Sequence, residues 1–312
     1  MFGILGKGFG LYGYLPAIVN LGESVGTLSI YKSFIEARDD ISSLSKYIQY
    51  FDNQDELIDR SNSLVVARRP EDQYRLVEEI LRKNIKLNLF LEKPLTHSCV
   101  TSRYLANKLQ EAQYQYRLGY TVEFTDWFFD IVNLFNNQSF KHLELEISWN
   151  FHAHHYKNEI NTWKRNPLQG GGAFKFYGTH LVYLLANIGK WNSVKMESFR
   201  YSLEDEYMFL ISGNNKTNKF NISCNSCSVD KTIFDVNVKS SGKVIYHCNL
   251  EDPLFRNSSI REQDSRIPML RELINSINSE KDYYELYSNL HEITKLAIDN
   301  QHINLTKYQQ SK

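Results

Sequence analysis

The sequence has no apolar run long enough to span a membrane and no excess of either charge, with 36 basic residues against 36 acidic ones in 312. The first lack argues against a membrane-embedded helix. The second removes the electrostatic footprint by which nucleic acids and anionic lipid surfaces are bound. Cysteine is scarce as well. Cys99, Cys224, Cys227 and Cys248 are too few and too scattered for a disulfide framework, which fits a reducing compartment. Cys224-x-x-Cys227 lies in an alternating segment with only His247 and Cys248 as further ligands, so two ordinary strand cysteines are expected there rather than zinc. Repeats and low-complexity linkers are absent too, and no leader is read at the start. The expectation is a cytoplasmic protein acting on a small molecule, with no nucleic acid, membrane or metal as partner.

Glycine is concentrated at the start, where MFGILGKGFGLYG holds five of the chain's 15. Met1, Phe2, Ile4 and Leu5 read as a buried strand, and Gly6, Gly8 and Gly10 let the backbone turn sharply and approach a ligand. LYGYLPAIVNL is apolar at helical spacing, so a helix N-terminus there would aim its N–H groups at a diphosphate. Two registers compete. Gly6-x-Gly8-x-x-Leu11 begins where the strand ends but has leucine for the third small residue, whereas Gly8-x-Gly10-x-x-Gly13 is complete. The first is preferred, making Gly6, Gly8, Phe9, Gly10 and Leu11 the candidate cofactor loop. Such a fingerprint alone is served equally by an ordinary strand-to-helix turn.

Val25 to Ser33 reads as a second strand. Its end, Tyr31, Lys32 and Ser33, offers no carboxylate to a ribose and one cation to a 2′-phosphate, which predicts NADP over NAD; a solvated lysine is the plain alternative. Asn62 to Ala67 and Ile85 to Leu91 read as further strands, with a helix opening at Pro70 whose Tyr74, Val77 and Leu81 share a face. Strand alternating with helix predicts a parallel sheet covered on both faces. Its carboxyl ends carry Gly6, Lys32, Arg68 and the run Glu92, Lys93, Pro94. A helix over 98–116, a strand over 119–124, a helix over 126–135 and an alternating strand over 141–151 follow. From Val194 to Leu250 alternation dominates and predicts a mainly antiparallel sheet open on one face. Helices then start at Pro268 and Ser279, the latter burying Leu286, Leu290, Ile293 and Ala297, before a frayed end.

FLEKPLT after a strand, with LVVARRP before it, resembles the Gfo/Idh/MocA family of nicotinamide-dependent oxidoreductases. NTWKRNPLQGGGAFKFYGTHLVYLLANIG is similar to that family's second-domain site: Trp163, Lys164, Gly170, Gly171, Gly172, Gly178 and His180 match, while Phe176 holds the place of an aspartate. Phe176 and His180 are four residues apart and share a side of an α-helix. Glu123 stands near where relatives carry a basic residue. The resemblance implies a Rossmann domain over 1–118 and an α/β domain over 119–312 with a large open sheet, the last helices having the option of returning to the first domain. It also implies a homodimer or homotetramer formed through that sheet, and hydride transfer between the nicotinamide and a hydroxyl or keto carbon of a sugar, foremost a sugar nucleotide.

Within that resemblance Lys93, beside Glu92 and Pro94, would serve both nicotinamide and substrate oxygen by stabilising an alkoxide. His180 would take or give the hydroxyl proton. Trp163, Lys164, Phe176 and Tyr177 would line the sugar, although core filler is the plainer reading of Tyr177. His152, His154 and His155 read as a loop near the substrate, because alternation leaves only two of them on one side. The competing reading is a catalytically silent dinucleotide-binding sensor or scaffold, toward which Leu11, Glu123 and Phe176 point.

Overall fold

The computed structural model describes residues 1–230, 232–254 and 264–306. The chain divides into two compact units, one of 1–96, 104–125 and 254–283 and the other of 97–103, 126–253 and 284–312. Among the described residues no helix is long and apolar enough to cross a membrane.

Six short strands make the first unit's sheet: β1 (Phe2–Leu5), β2 (Val25–Leu28), β3 (Ile48–Phe51), β4 (Ser63–Val66), β5 (Asn88–Leu91) and β6 (Tyr116–Leu118). All pair in parallel in the order β3-β2-β1-β4-β5-β6. Runs such as Ser63–Val66, buried throughout, are what a sheet covered on both faces requires. The order reverses between β1 and β4. That reversal opens a crevice beyond the carboxyl ends of these strands, the usual seat of a nucleotide.

Several local expectations are corrected. β3 has no counterpart in the sequence reading because this edge strand buries only Phe51. β2 stops at Leu28, and Ser29–Tyr31 and Lys32–Glu36 are helical, so Ser33 does not end a strand. The helix expected to reach Tyr116 ends at Glu111, because Gln113 takes a φ of 56° and Tyr114 N–H returns to Leu109 O at 2.9 Å. The strand therefore comes early, at β6, and Thr121–Phe124 is a 3-10 turn. Along helix Pro70–Lys83 the buried face is Gln73, Leu76, Val77 and Ile80 rather than the Tyr74 and Leu81 side.

The second unit's sheet holds β7 (Leu143–Asn150), β8 (Ser193–Ser202), β9 (Asp205–Asn214), β10 (Lys219–Asn225), β11 (Ile233–Ser240), β12 (Lys243–Leu250) and β13 (Gln301–Leu305), in the order β12-β11-β7-β10-β9-β8-β13. Only β7–β10 and β8–β13 are parallel. Alternation along β7 buries Leu143, Leu145, Ile147 and Trp149 and leaves the other face to ion pairs such as Lys239–Glu146 at 2.7 Å. The chain end expected to fray instead forms β13 as far as Leu305. Residues 307–312 of that expectation lie outside the described residues.

Three histidines of this unit are buried among the described residues, and two of them, His155 at 5% and His291 at 6% exposure, titrate well below the usual range. Burial first, then Lys164 and Arg165 for His155 and Arg103 for His291, lowers both imidazoles to about 4 from 6.5. Between those values the unfolded chain binds protons that the folded chain refuses, so stability is complete above pH 6.5 and is lost as pH falls toward 4. The loss approaches about 3 kcal/mol per histidine. Urea midpoints should drop between about pH 7 and about pH 5, and His291→Leu should flatten that drop. An equally steep drop in the variant would contradict the assignment.

Candidate active site

Gly6 follows β1 directly with a φ of 145°, and a Cβ there would overlap Ala67 O, so the chain needs glycine at this point. The turn therefore starts at Gly6. A Cβ on Gly8 would meet no atom within 4 Å, which leaves that backbone open to a ligand. Leu11 N–H and Tyr12 N–H return to Gly8 O at 2.9 and 3.3 Å and start the helix, with a π-helical Gly10–Tyr14 turn running into α-helical Leu15–Asn20. Leu11 is fully buried in the core with Ile4, Leu15 and Val65, so the leucine at the third position is absorbed by packing. Gly13, which completes the rejected register, lies against the Phe9 ring. Arg266 stacks on that ring at 4.1 Å and is fixed by Asp264 at 2.8 and 2.6 Å. Phe9 is thereby a support of the loop.

A cleft of about 480 Å³ opens beside the loop and brings together Gly6, Lys7, Tyr31 and Arg68. Lys32 and Ser33 do not line it. Lys32 is half-exposed, one helix turn from Glu36 at 4.0 Å. Just beyond β2, Ser29 Oγ instead donates to Asp52 Oδ1 at 2.8 Å. Lys32, on which a preference for a 2′-phosphate rested, is thus not at the cleft, and nothing in the structure supports that preference.

Glu92, Lys93 and Pro94 follow β5 at once, with a cis peptide before Pro94. Buried Gln73 clamps them: its Nε2 donates to Glu92 O at 2.7 Å and Leu95 O at 2.9 Å, and its Oε1 accepts from Glu92 N–H at 2.9 Å. Glu92 Oε1 is buried although the residue as a whole is not, and burial raises this carboxyl above the usual range against the pull of Lys93, Tyr14 and Arg266. Glu123 is held by Lys281 and by Tyr283 OH at 3.3 Å, a structural tie.

In the second unit Ala173–Gly178 is π-helical and continues as helix Thr179–Ile188. Its start is held by Glu206 of β9, whose Oε1 accepts from Phe174 N–H at 2.8 Å and whose Oε2 takes Ser198 Oγ–H at 2.5 Å and lies 3.4 Å from Arg200. Gly172 has a φ of 80° and would bring a Cβ to 2.8 Å from that carboxylate. The anion therefore sits at the helix's positive end. His180 is 4% exposed on this helix.

Trp163, Lys164 and Phe176 do come together: the rings of Trp163 and Phe176 meet edge-on at 5.6 Å, and Lys164 Nζ lies 5.3 Å over Phe176. Tyr177 packs among Phe151 at 4.7 Å, Trp149 at 5.8 Å and His155 at 6.2 Å, and burial raises its phenol, as a core residue's would be. Hydrogen bonds from i to i+5 widen the Ala173–Gly178 turn, so the shared face expected of Phe176 and His180 in an α-helix does not carry over. The three neighbouring histidines separate: His152 bridges to Cys227, His154 is exposed and His155 is buried beside Tyr177.

Gln73, Arg266 and Glu206 were not legible as site residues. Each acts across a long sequence separation, and Glu206 turns inward because the β8–β9 pairing shifts register at Arg200.

No protein-family model matches the chain, and neither does any curated protein. Solved structures do match over nearly its whole length. The WlbA dehydrogenase from Bordetella pertussis, in complex with NADH and UDP-GlcNAcA, shares 13% identity at a TM-score of 0.73, covering 96% of each chain. GenD2 from gentamicin A biosynthesis, in complex with NAD, shares 14% at a TM-score of 0.70, covering 96% of this chain and 93% of that one. A super-repressor mutant of Gal80p from Saccharomyces cerevisiae shares 13% at 0.71, covering 96% and 95%. The chain has the fold of the Gfo/Idh/MocA dehydrogenases. In this fold the lysine of the tripeptide follows the fifth strand, not the fourth as counted from the sequence.

Proposed function

We propose that the protein is a nicotinamide-dependent oxidoreductase that interconverts hydroxyl and carbonyl at a carbon of a sugar. The observation that carries this reading is the Gly6–Gly10 turn, obligatory at Gly6 and open at Gly8, set at the sheet's switch point beside the cleft that holds Tyr31 and Arg68. These residues fit a dinucleotide, and Asp52 beyond β2 favours NAD(H) by accepting from ribose hydroxyls and repelling an added phosphate. Bound there, the nicotinamide supplies the two-electron carrier that accepts hydride from the carbinol carbon as a carbonyl forms. His180 receives the hydroxyl proton in that direction and returns it in the other. Lys93, on a loop fixed by Gln73, steadies the negative charge on the oxygen. The WlbA likeness supports a sugar nucleotide as the substrate class, and the open face of the second sheet is proposed as the surface for a homodimer or homotetramer.

Gly8→Val tests the cofactor half. The variant should fold, because its side chain enters open space, yet lose about tenfold or more in NADH affinity by fluorescence titration. Unchanged affinity in a folded variant would misplace the site. Light scattering should return a multiple of the chain mass; a monomer at working concentration would remove the sheet from the proposal.

A second reading, a dinucleotide-binding sensor without turnover, is favoured by Phe176 alone, since it removes the carboxylate that would accompany His180. The Gal80p likeness is compatible with it.

A further inference from the structure

We infer that the second unit carries a subsite for an amino-bearing pyranose, in the cleft between the 161–169 loop and the turn joining β8 to β9, which shares Trp163 with the sugar-lining residues that the resemblance implies. The cleft measures about 460 Å³. That lies within the range, about 300 to 1,000 Å³, that ordinarily holds small ligands. Every side chain lining it is polar except Trp163. The indole offers an apolar surface to the C–H side of a sugar ring and is itself steadied edge-on against Phe176. Gln169 offers an exposed amide, which both donates and accepts as a ring of hydroxyls requires, while Asn166 Oδ1 is engaged by Leu168 N–H at 2.8 Å and shapes the wall.

Charge selects among sugars. Arg165 donates from Nε to Asp205 Oδ1 at 3.0 Å and from a second nitrogen to Oδ2, and Tyr156 OH donates to the same carboxylate at 2.7 Å. The cation is therefore neutralised within the wall. Glu204 is left: it is exposed, its backbone N–H alone is engaged, by Ser202 Oγ at 3.2 Å, and no ion pair to its carboxylate is found among the described residues. The cleft thus carries one uncompensated negative charge. That charge attracts an ammonium group on a sugar and repels a diphosphate. The subsite goes beyond the redox reading and does not depend on it.

The test is calorimetric titration of the full chain, without cofactor, with glucosamine, glucose and UDP-glucose as probes. Glucosamine should bind about two- to fivefold more tightly than glucose, the worth of one exposed ion pair, and raised salt should erase the difference. Glu204→Gln should erase it as well, whereas Trp163→Ala should weaken both monosaccharides. Should Trp163→Ala misfold, the exposed Glu204 variant decides. Equal affinity of glucosamine and glucose for the parent, or a preference that survives in Glu204→Gln, overturns the proposal. So does UDP-glucose binding that is tighter than glucosamine's and weakened by Trp163→Ala. Because no cofactor is present, loss of the redox reading would leave these results unchanged.

Discussion

His180→Asn should lower turnover about a hundred- to ten-thousand-fold, the usual worth of a positioned acid/base, while leaving NADH affinity where it was. Asparagine keeps a polar side chain of similar reach but cannot carry the proton near neutral pH. The helix bearing His180 is anchored at its start by Glu206 and built largely of buried residues, so its placement does not depend on the imidazole. A buried histidine in an apolar helix is otherwise a packing residue. In that case the variant would lose stability in urea with its turnover intact, and kinetics and unfolding measured on one preparation separate the two. Lys93→Met provides the independent arm. It retains the stem of the side chain and the Gln73 clamp on its loop but loses the charge, and a comparable fall in kcat is expected.

The largest stability effect should come from Glu206. The carboxylate is 2% exposed and Arg200 is 6% exposed, so Glu206→Leu leaves a buried guanidinium without its counter-charge and Phe174 N–H without its acceptor. Removing one partner of such a pair costs about 3 to 5 kcal/mol, whereas replacing both by apolar groups of similar size is often close to neutral. The double variant Glu206→Leu/Arg200→Met should therefore recover most of the lost stability, and urea unfolding of the four-protein cycle measures the coupling. Its turnover should stay low even when folded, because the acceptor that holds the start of the His180 helix is still missing. Full activity in the folded double variant would show that Glu206 supports the unit and not the site.

Much of this was legible because the informative segments are locally determined. Gly6 could be placed because its strand ends where the apolar run ends, and alternation along β7 announced its buried face before any partner strand was known. Lys93 and the 163–180 stretch were singled out through resemblance, which preserves spacing better than it preserves contacts. What failed was non-local or irregular. β3 is an edge strand that buries one side chain, so it has no pattern to show. Lys32 was read as the end of a strand that stops four residues earlier, and the NADP preference that rested on it finds no support. The shared face of Phe176 and His180 assumed α-helical spacing that the π-helical turn replaces. Gln73 lies on a helix face that the sequence reading passed over for the Tyr74 and Leu81 side, and its partner, the backbone around Lys93, is not visible in sequence.

Redox chemistry on a sugar is read from the near-ultraviolet absorbance of reduced nicotinamide when the protein and NAD are mixed with a panel of sugars and sugar nucleotides, alongside His180→Asn. Absorbance should rise with at least one member of the panel, and the rise should collapse in the variant. NADH binding without any change in absorbance across the panel, or equal rates in parent and variant, would contradict it, and the first of these would make the silent sensor the better description.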